Sequence, residues 1–221
     1  GNAFKKLGQL DDAVKSYKKT LALKPDYAEV NYNLGLALQE LEQLYTAVEY
    51  YKKALAVDPD YAEVNYNLGL ALQELDQLDA AVEYYEKAIA IQPDYAEAHN
   101  NLGNSFLEFG QMDDAVKSYE KAIATQPDYV EAHNNLGSIF MELGQMDDAV
   151  KSYEKALALK PNDADAYNKL GIVYMELDQT DVALKCYEKA LAIKPDFAKA
   201  HANRGNAMKS LNRLDEALAS Y

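Results

Sequence analysis

The sequence predicts an all-α solenoid of antiparallel helix pairs, and three observations predict it. The six prolines, Pro25, Pro59, Pro93, Pro127, Pro161 and Pro195, stand 34 residues apart without exception. The glycines Gly1, Gly35, Gly69, Gly103, Gly137, Gly171 and Gly205 keep the same interval in a second phase. Alanines from Ala13 to Ala217 and tyrosines from Tyr17 to Tyr221 keep it in two more. A fixed period of this length marks stacked copies of one supersecondary unit. A single-domain enzyme has no reason to lock four phases over its whole length.

Each element follows from local chemistry, illustrated by the copy from Asp94 to Pro127. Asp94 is placed to cap a first helix, with Glu97 three residues on as its capping-box partner. Leu102, Phe106 and Phe109 continue an apolar stripe at steps of three or four. Gly103 leaves room for a neighbouring helix to approach. Gly110 ends the first helix in the left-handed conformation that glycine adopts cheaply. Asp113 and Asp114 suit the positive N-terminal end of a second helix. Ala115, Val116, Tyr119, Ala122 and Ile123 form its buried stripe, and Pro127 stops it. One such hairpin cannot bury both faces, whereas stacked copies can.

The pattern Leu102, Gly103, Phe106, Ala115, Tyr119, Ala122, Pro127 resembles the tetratricopeptide repeat (TPR) family, and the resemblance covers the whole chain. It implies a right-handed superhelix whose concave side is lined by the first helix of each pair. Numbered from the third residue after each proline, the array has a partial repeat at 1–27, full repeats at 28–61, 62–95, 96–129, 130–163 and 164–197, and a partial repeat at 198–221, all in one domain. Position 4 departs from the family's common tryptophan, holding Asn31, Asn65, His99, His133, Tyr167 and His201. Arg204 stands where the other copies have leucine. Both ends cut through a hairpin without a polar capping helix, so the chain is expected to be part of a longer protein or to associate through its ends.

Composition narrows the partners. With 22 basic and 36 acidic residues the formal net charge is −14, which disfavours nucleic acid and favours a neutral or basic protein or peptide. No apolar run is long enough to span a membrane. No signal peptide is expected from the first residues of the sequence. The single cysteine, Cys186, excludes an internal disulfide framework and suits a reducing, cytoplasmic compartment.

The candidate binding residues lie on the first helices. Position 6 holds Asn33, Asn67, Asn101, Asn135, Lys169 and Asn203. This ladder resembles the arrays that precede O-linked N-acetylglucosamine transferases and SPINDLY-type proteins, where asparagines grip the backbone of an extended peptide. A carboxamide both donates and accepts, so it can pair with a peptide amide whatever side chain follows. Position 5 adds Tyr32 and Tyr66, whose rings could stack on an apolar or proline side chain, and then Asn100, Asn134 and Asn168. Position 9 runs from Leu36 and Leu70 to Asn104 and Ser138, then Ile172 and Asn206, so the groove changes polarity along the array. Glu40, Glu74, Glu108, Glu142 and Glu176 form an acidic row, read as a solvated face or a field for a basic partner. The family's lysine and asparagine clamp for chaperone carboxylates is not expected, because position 5 holds no lysine.

No catalytic constellation, metal site or cofactor is expected. The three histidines share position 4, whole hairpins apart and roughly 10 Å or more from one another, with no histidine or cysteine at i+3 or i+4. They read as core or groove residues. Cys186 has only Lys185 as a basic neighbour, so a reactive thiolate is not expected. Residues 28–61 and 62–95 differ at only seven positions, which is natural for a scaffold and odd for an active site. The expected function is a scaffold that binds an extended peptide. The alternatives are the substrate-selecting part of a larger enzyme and a self-assembling array.

Overall fold

The structure, a computed structural model, describes residues 9–218, and every regular element among them is an α-helix. In chain order these are α1 (Leu10–Leu23), α2 (Ala28–Glu40), α3 (Leu44–Val57), α4 (Ala62–Glu74), α5 (Leu78–Ile91), α6 (Ala96–Glu108), α7 (Met112–Thr125), α8 (Val130–Glu142), α9 (Met146–Leu159), α10 (Ala164–Glu176), α11 (Thr180–Ile193), α12 (Ala198–Ser210) and α13 (Leu214–Leu218). First helices have 13 residues and complete second helices 14. The chain forms two compact units, one ending at Gln111 with α1–α6 and one beginning at Met112 with α7–α13. Within each, hairpins stack on hairpins as the period requires.

The core is a repeated pairing of glycine with tyrosine. Tyr51 and Tyr85 in the first unit, and Tyr119, Tyr153 and Tyr187 in the second, are buried to 1% exposure or less. Each buried ring contributes on the order of 2 kcal/mol. The Tyr51 ring lies flat against the backbone at Gly35, where a Cβ would stand 2.5 Å from Cε1. Gly69 and Tyr85 repeat the arrangement, as do Gly137 and Tyr153. The buried hydroxyls need partners. Tyr51 donates to Gln39 Oε1 at 2.7 Å, and Gln39 Nε2 donates to Glu74 Oε1 at 2.9 Å in the next copy. Tyr85, Gln73 and Glu108 repeat this relay at 2.8 and 3.1 Å. Two members of the acidic row thus accept inter-repeat hydrogen bonds.

The turns between first and second helices place one residue in the left-handed region. Gly110 and Gly144 take φ of +73° there, as their spacing predicts. Elsewhere the position is filled by Glu42, Asp76, Asp178 and Asn212 at φ between 56° and 60°. These side chains adopt the conformation at some cost.

One expectation about the joints is corrected. The capping box of Asp94 and Glu97 does not form: α6 begins at Ala96 with Tyr95 as its N-cap, and no side chain caps it. Tyr27, Tyr61, Tyr129 and Phe197 occupy the same place in other copies, likewise without a side-chain cap. The Pro-Asp-Tyr turn puts its aspartate one residue too early. Among the described residues only the Pro161–Asp163 turn brings aspartate to the N-cap, where Asp163 Oδ1 accepts from the Ala166 amide at 3.0 Å.

Position 4 does the joint's work elsewhere. Asn31 Nδ2 donates to the carbonyls of Pro25 and Tyr27, both at 3.1 Å. Asn65 reaches Pro59 and Tyr61 in the same way. Nε2 of His99, His133 and His201 meets the carbonyls of Pro93, Pro127 and Pro195 at 3.0, 3.0 and 2.9 Å. The histidines therefore act as structural clasps. Tyr167 makes no such clasp, and it is in that copy that Asp163 caps.

Candidate interaction surface

In the first unit, α2, α4 and α6 carry the position 5 and 6 residues, all half-exposed except the buried Asn100. Their contacts run between copies. Asn67 Nδ2 donates to the Tyr32 hydroxyl oxygen at 3.1 Å and to the Glu63 carbonyl at 2.7 Å. Asn101 Nδ2 donates to the Tyr66 hydroxyl oxygen at 2.9 Å. Asn33 Nδ2 bonds to the Glu29 carbonyl of its own helix at 2.8 Å. The register is position 6 of one copy to position 5 of the copy before.

Tyr32 is wedged between rings, with centroids 6.1 Å from Tyr51 and 5.3 Å from Tyr61. Tyr66 sits likewise 5.9 Å from Tyr85 and 4.8 Å from Tyr95. Such tilted pairs are favourable for aromatic quadrupoles. Burial, then the neighbouring Tyr61 and Glu63, push the Tyr32 hydroxyl up to about 12. Burial and Glu97 also raise Tyr66. These tyrosines stay neutral and able to donate at physiological pH.

The leftover polarity is divided between residue types. Among the described residues no donor reaches Oδ1 of Asn33 or Asn67, and no acceptor takes the hydroxyl proton of Tyr32 or Tyr66. The face therefore presents carboxamide acceptors beside phenolic donors. Asn101 differs, because its Oδ1 accepts from Asn100 and Asn104, both at 3.3 Å. Asn100 is buried and Asn104 half-buried.

In the second unit Asn203 Nδ2 donates to Oδ1 of the buried Asn168 at 2.9 Å, which repeats the register. Lys169 Nζ donates to Ser138 Oγ at 2.9 Å, and Ser138 also bonds to the buried Tyr153 hydroxyl at 2.9 Å. The lysine thus replaces one ladder bond with another. Asn134 and Asn135 are half-exposed on α8, and Oδ1 of Asn134 is shielded from solvent with no hydrogen-bond partner. The Tyr51–Gln39–Glu74 relay and the Lys169–Ser138 bond are not legible in a single copy. Their signal is a polar pair recurring 31 to 35 residues apart. No helix among the described residues is long and apolar enough to cross a membrane.

A TPR repeat family model matches residues 1–42, 137–178 and 173–212. Two tetratricopeptide repeat models match 26–94 and 60–128, and 118–151. No curated protein matches the sequence. Among solved structures, MamA is 31% identical, covers 69% of this chain and 90% of its own, and superposes with a TM-score of 0.66. YrrB, described as a TPR protein with an unusual peptide-binding site, is 23% identical over 85% of this chain and 96% of its own, with a TM-score of 0.71. A tetratricopeptide repeat protein from Parabacteroides merdae superposes at 0.76 with 18% identity, covering 99% of this chain and 87% of its own. The helix pairs, the 34-residue period and these matches lead to one conclusion: the chain belongs to the tetratricopeptide repeat family.

Proposed function

We propose that the protein is an interaction scaffold that holds an extended segment of a partner protein along its first helices. The observation that carries this is the unmatched polarity of α2 and α4. Asn33 and Asn67 offer acceptors to peptide amides, and Tyr32 and Tyr66 offer donors to peptide carbonyls. Packed neighbours in such stacks lie roughly 10 Å apart, about three residues of extended chain. A segment threaded over them would meet one such pair at every third residue. YrrB, of the same fold, is described as binding peptide.

Asn33→Ala with Asn67→Ala tests it. On a peptide array the double variant is expected to bind at least tenfold more weakly, with its melting temperature nearly unchanged. Equal binding by both proteins rejects the ladder.

A second reading rests on the regular asparagine register, which resembles the arrays in front of O-linked N-acetylglucosamine transferases. On it, the same face selects substrates for a catalytic domain elsewhere in a longer protein. The full reading frame decides between the two: one without a catalytic domain rejects the second.

A further inference from the structure

We propose that the second unit carries a separate docking pocket for an acidic peptide segment presenting one large apolar side chain. The pocket encloses about 400 Å³ and is lined from α9, α10 and α11. That volume is within the range of about 300–1,000 Å³ typical of ligand sites. Its floor is apolar: Leu157, Leu170 and Cys186 are each 5–7% exposed, and Tyr167 and Tyr174 form half-buried walls. Lys185 and Lys189 stand exposed at its rim.

The repeat shows what is special here. A cavity of about 390 Å³ occurs in the same register one copy earlier, lined by His133, Leu136 and Ser152 among others. There Lys151 is tied to Asp148 at 2.9 Å, and Ser152 Oγ donates to the Asp148 carbonyl. In the next copy four departures from the preceding repeat fall on the pocket lining. His133 becomes Tyr167, Phe140 becomes Tyr174, Asp148 becomes Val182 and Ser152 becomes Cys186. Losing the aspartate leaves Lys185 without an ion pair among the described residues, and losing the serine makes the floor apolar. Lys189 lies over the Tyr167 ring at 5.2 Å and also has no carboxylate partner. In the first unit the position of Cys186 is held by Ser16 on α1 and by Tyr50 and Tyr84 on α3 and α5, the last two bulky rings packed against the core. A small residue at this position leaves room for the cavity, as Ser152 does one copy earlier, and Cys186 makes its floor apolar.

Charge complementarity selects the occupant. Lys185 and Lys189 face one lining carboxylate, Glu154, which accepts from Tyr174 Oη at 3.1 Å and pairs with neither lysine, so the mouth of the apolar cavity carries a net charge of +1. In a chain of net charge −14 this is a local reversal of sign. An acidic segment would pair with the lysines, and its apolar side chain would displace water from the floor.

The chain contains no tryptophan, so a capped peptide with one tryptophan between glutamates reports on the pocket by its own fluorescence. Its emission is expected to shift to the blue and saturate on titration. Lys185→Glu with Lys189→Glu should weaken binding at least tenfold. Ala158→Phe, at an exposed rim position, should abolish it without lowering the melting temperature. The Asn33→Ala, Asn67→Ala protein should bind the probe normally, which separates this pocket from the first-helix face. Binding unaffected by both pocket changes, or equal binding of a glutamine version of the probe, overturns the proposal. So does a concentration-dependent dimer abolished by Ala158→Phe, which would make the occupant a second copy of the chain.

Discussion

A Cβ placed on Gly35 would stand 2.5 Å from Cε1 of the fully buried Tyr51. Two effects compete when this glycine becomes alanine. Helix propensity favours alanine by about 1 kcal/mol. Overpacking a rigid, buried ring costs about 1–3 kcal/mol, and the ring cannot move because its hydroxyl is held by Gln39. Gly35→Ala is therefore expected to be destabilising, and Tyr51→Leu in the same chain should recover part of the loss. Urea unfolding of the three proteins checks the order.

The left-handed turn positions offer an opposite experiment. Glu42→Gly, Asp76→Gly and Asp178→Gly should each raise stability by about 1 kcal/mol, because these side chains sit at φ of 56–59°. Gly110→Ala should lower it by a similar amount. Thermal melts of the four variants read both signs, and a Glu42→Gly protein no more stable than its parent contradicts the argument.

Capping gives a paired test. Asp163→Ala removes the acceptor of the Ala166 amide and should cost about 1 kcal/mol. Asp94→Ala touches no cap and should cost a few tenths at most. Equal losses would restore the capping box that the sequence suggested.

Alkali should unfold the array. Tyr32 and Tyr174 are each pushed up to about 12, chiefly by burial, and Tyr51, Tyr85, Tyr95 and Tyr187 are raised for the same reason. An unfolded tyrosine ionises near 10. Below that, both states are protonated and the contribution to stability is complete. Above it the unfolded chain loses protons first, so stability falls as pH rises from about 10 toward 12. Melting temperatures should be flat from neutral pH to about 9 and drop beyond, together with tyrosinate absorbance.

Cys186 should be inert until then. Burial pushes its thiol up to about 11, against about 8.5 for a free cysteine. Alkylation at pH 8 is expected to be on the order of a hundredfold slower than for the unfolded chain. Comparable rates in the native and urea-unfolded protein would refute this.

What the sequence disclosed was whatever repeats within one copy. Gly110 and Gly144 could be placed at helix ends because glycine's conformational freedom is local. The histidines' spacing in whole multiples of 34 residues marks them as one repeated position, and in the structure they share one clasp role. The ladder's partners were not legible. Asn67 meets Tyr32, not Asn33, because the step between stacked helices sets a register of 35 residues instead of 34. That offset belongs to packing, and no spacing within a copy reveals it. The caps were misplaced by a single residue, since the turn after proline delays the helix to Ala96. The pocket in the second unit is not legible in the sequence, because each of its changes, such as Ser152 to Cys186, is small when taken alone.

The clasp between position 4 and the proline carbonyl spans only six residues, as in Asn31 to Pro25 and His133 to Pro127. A gene duplication that copies one whole period therefore carries a complete joint with it. The new copy needs no compensating change elsewhere to be fastened to its predecessor. Asparagine and histidine both reach that oxygen, so the joint also survives drift. An array fastened this way can grow or shrink by recombination while its exposed faces diverge copy by copy.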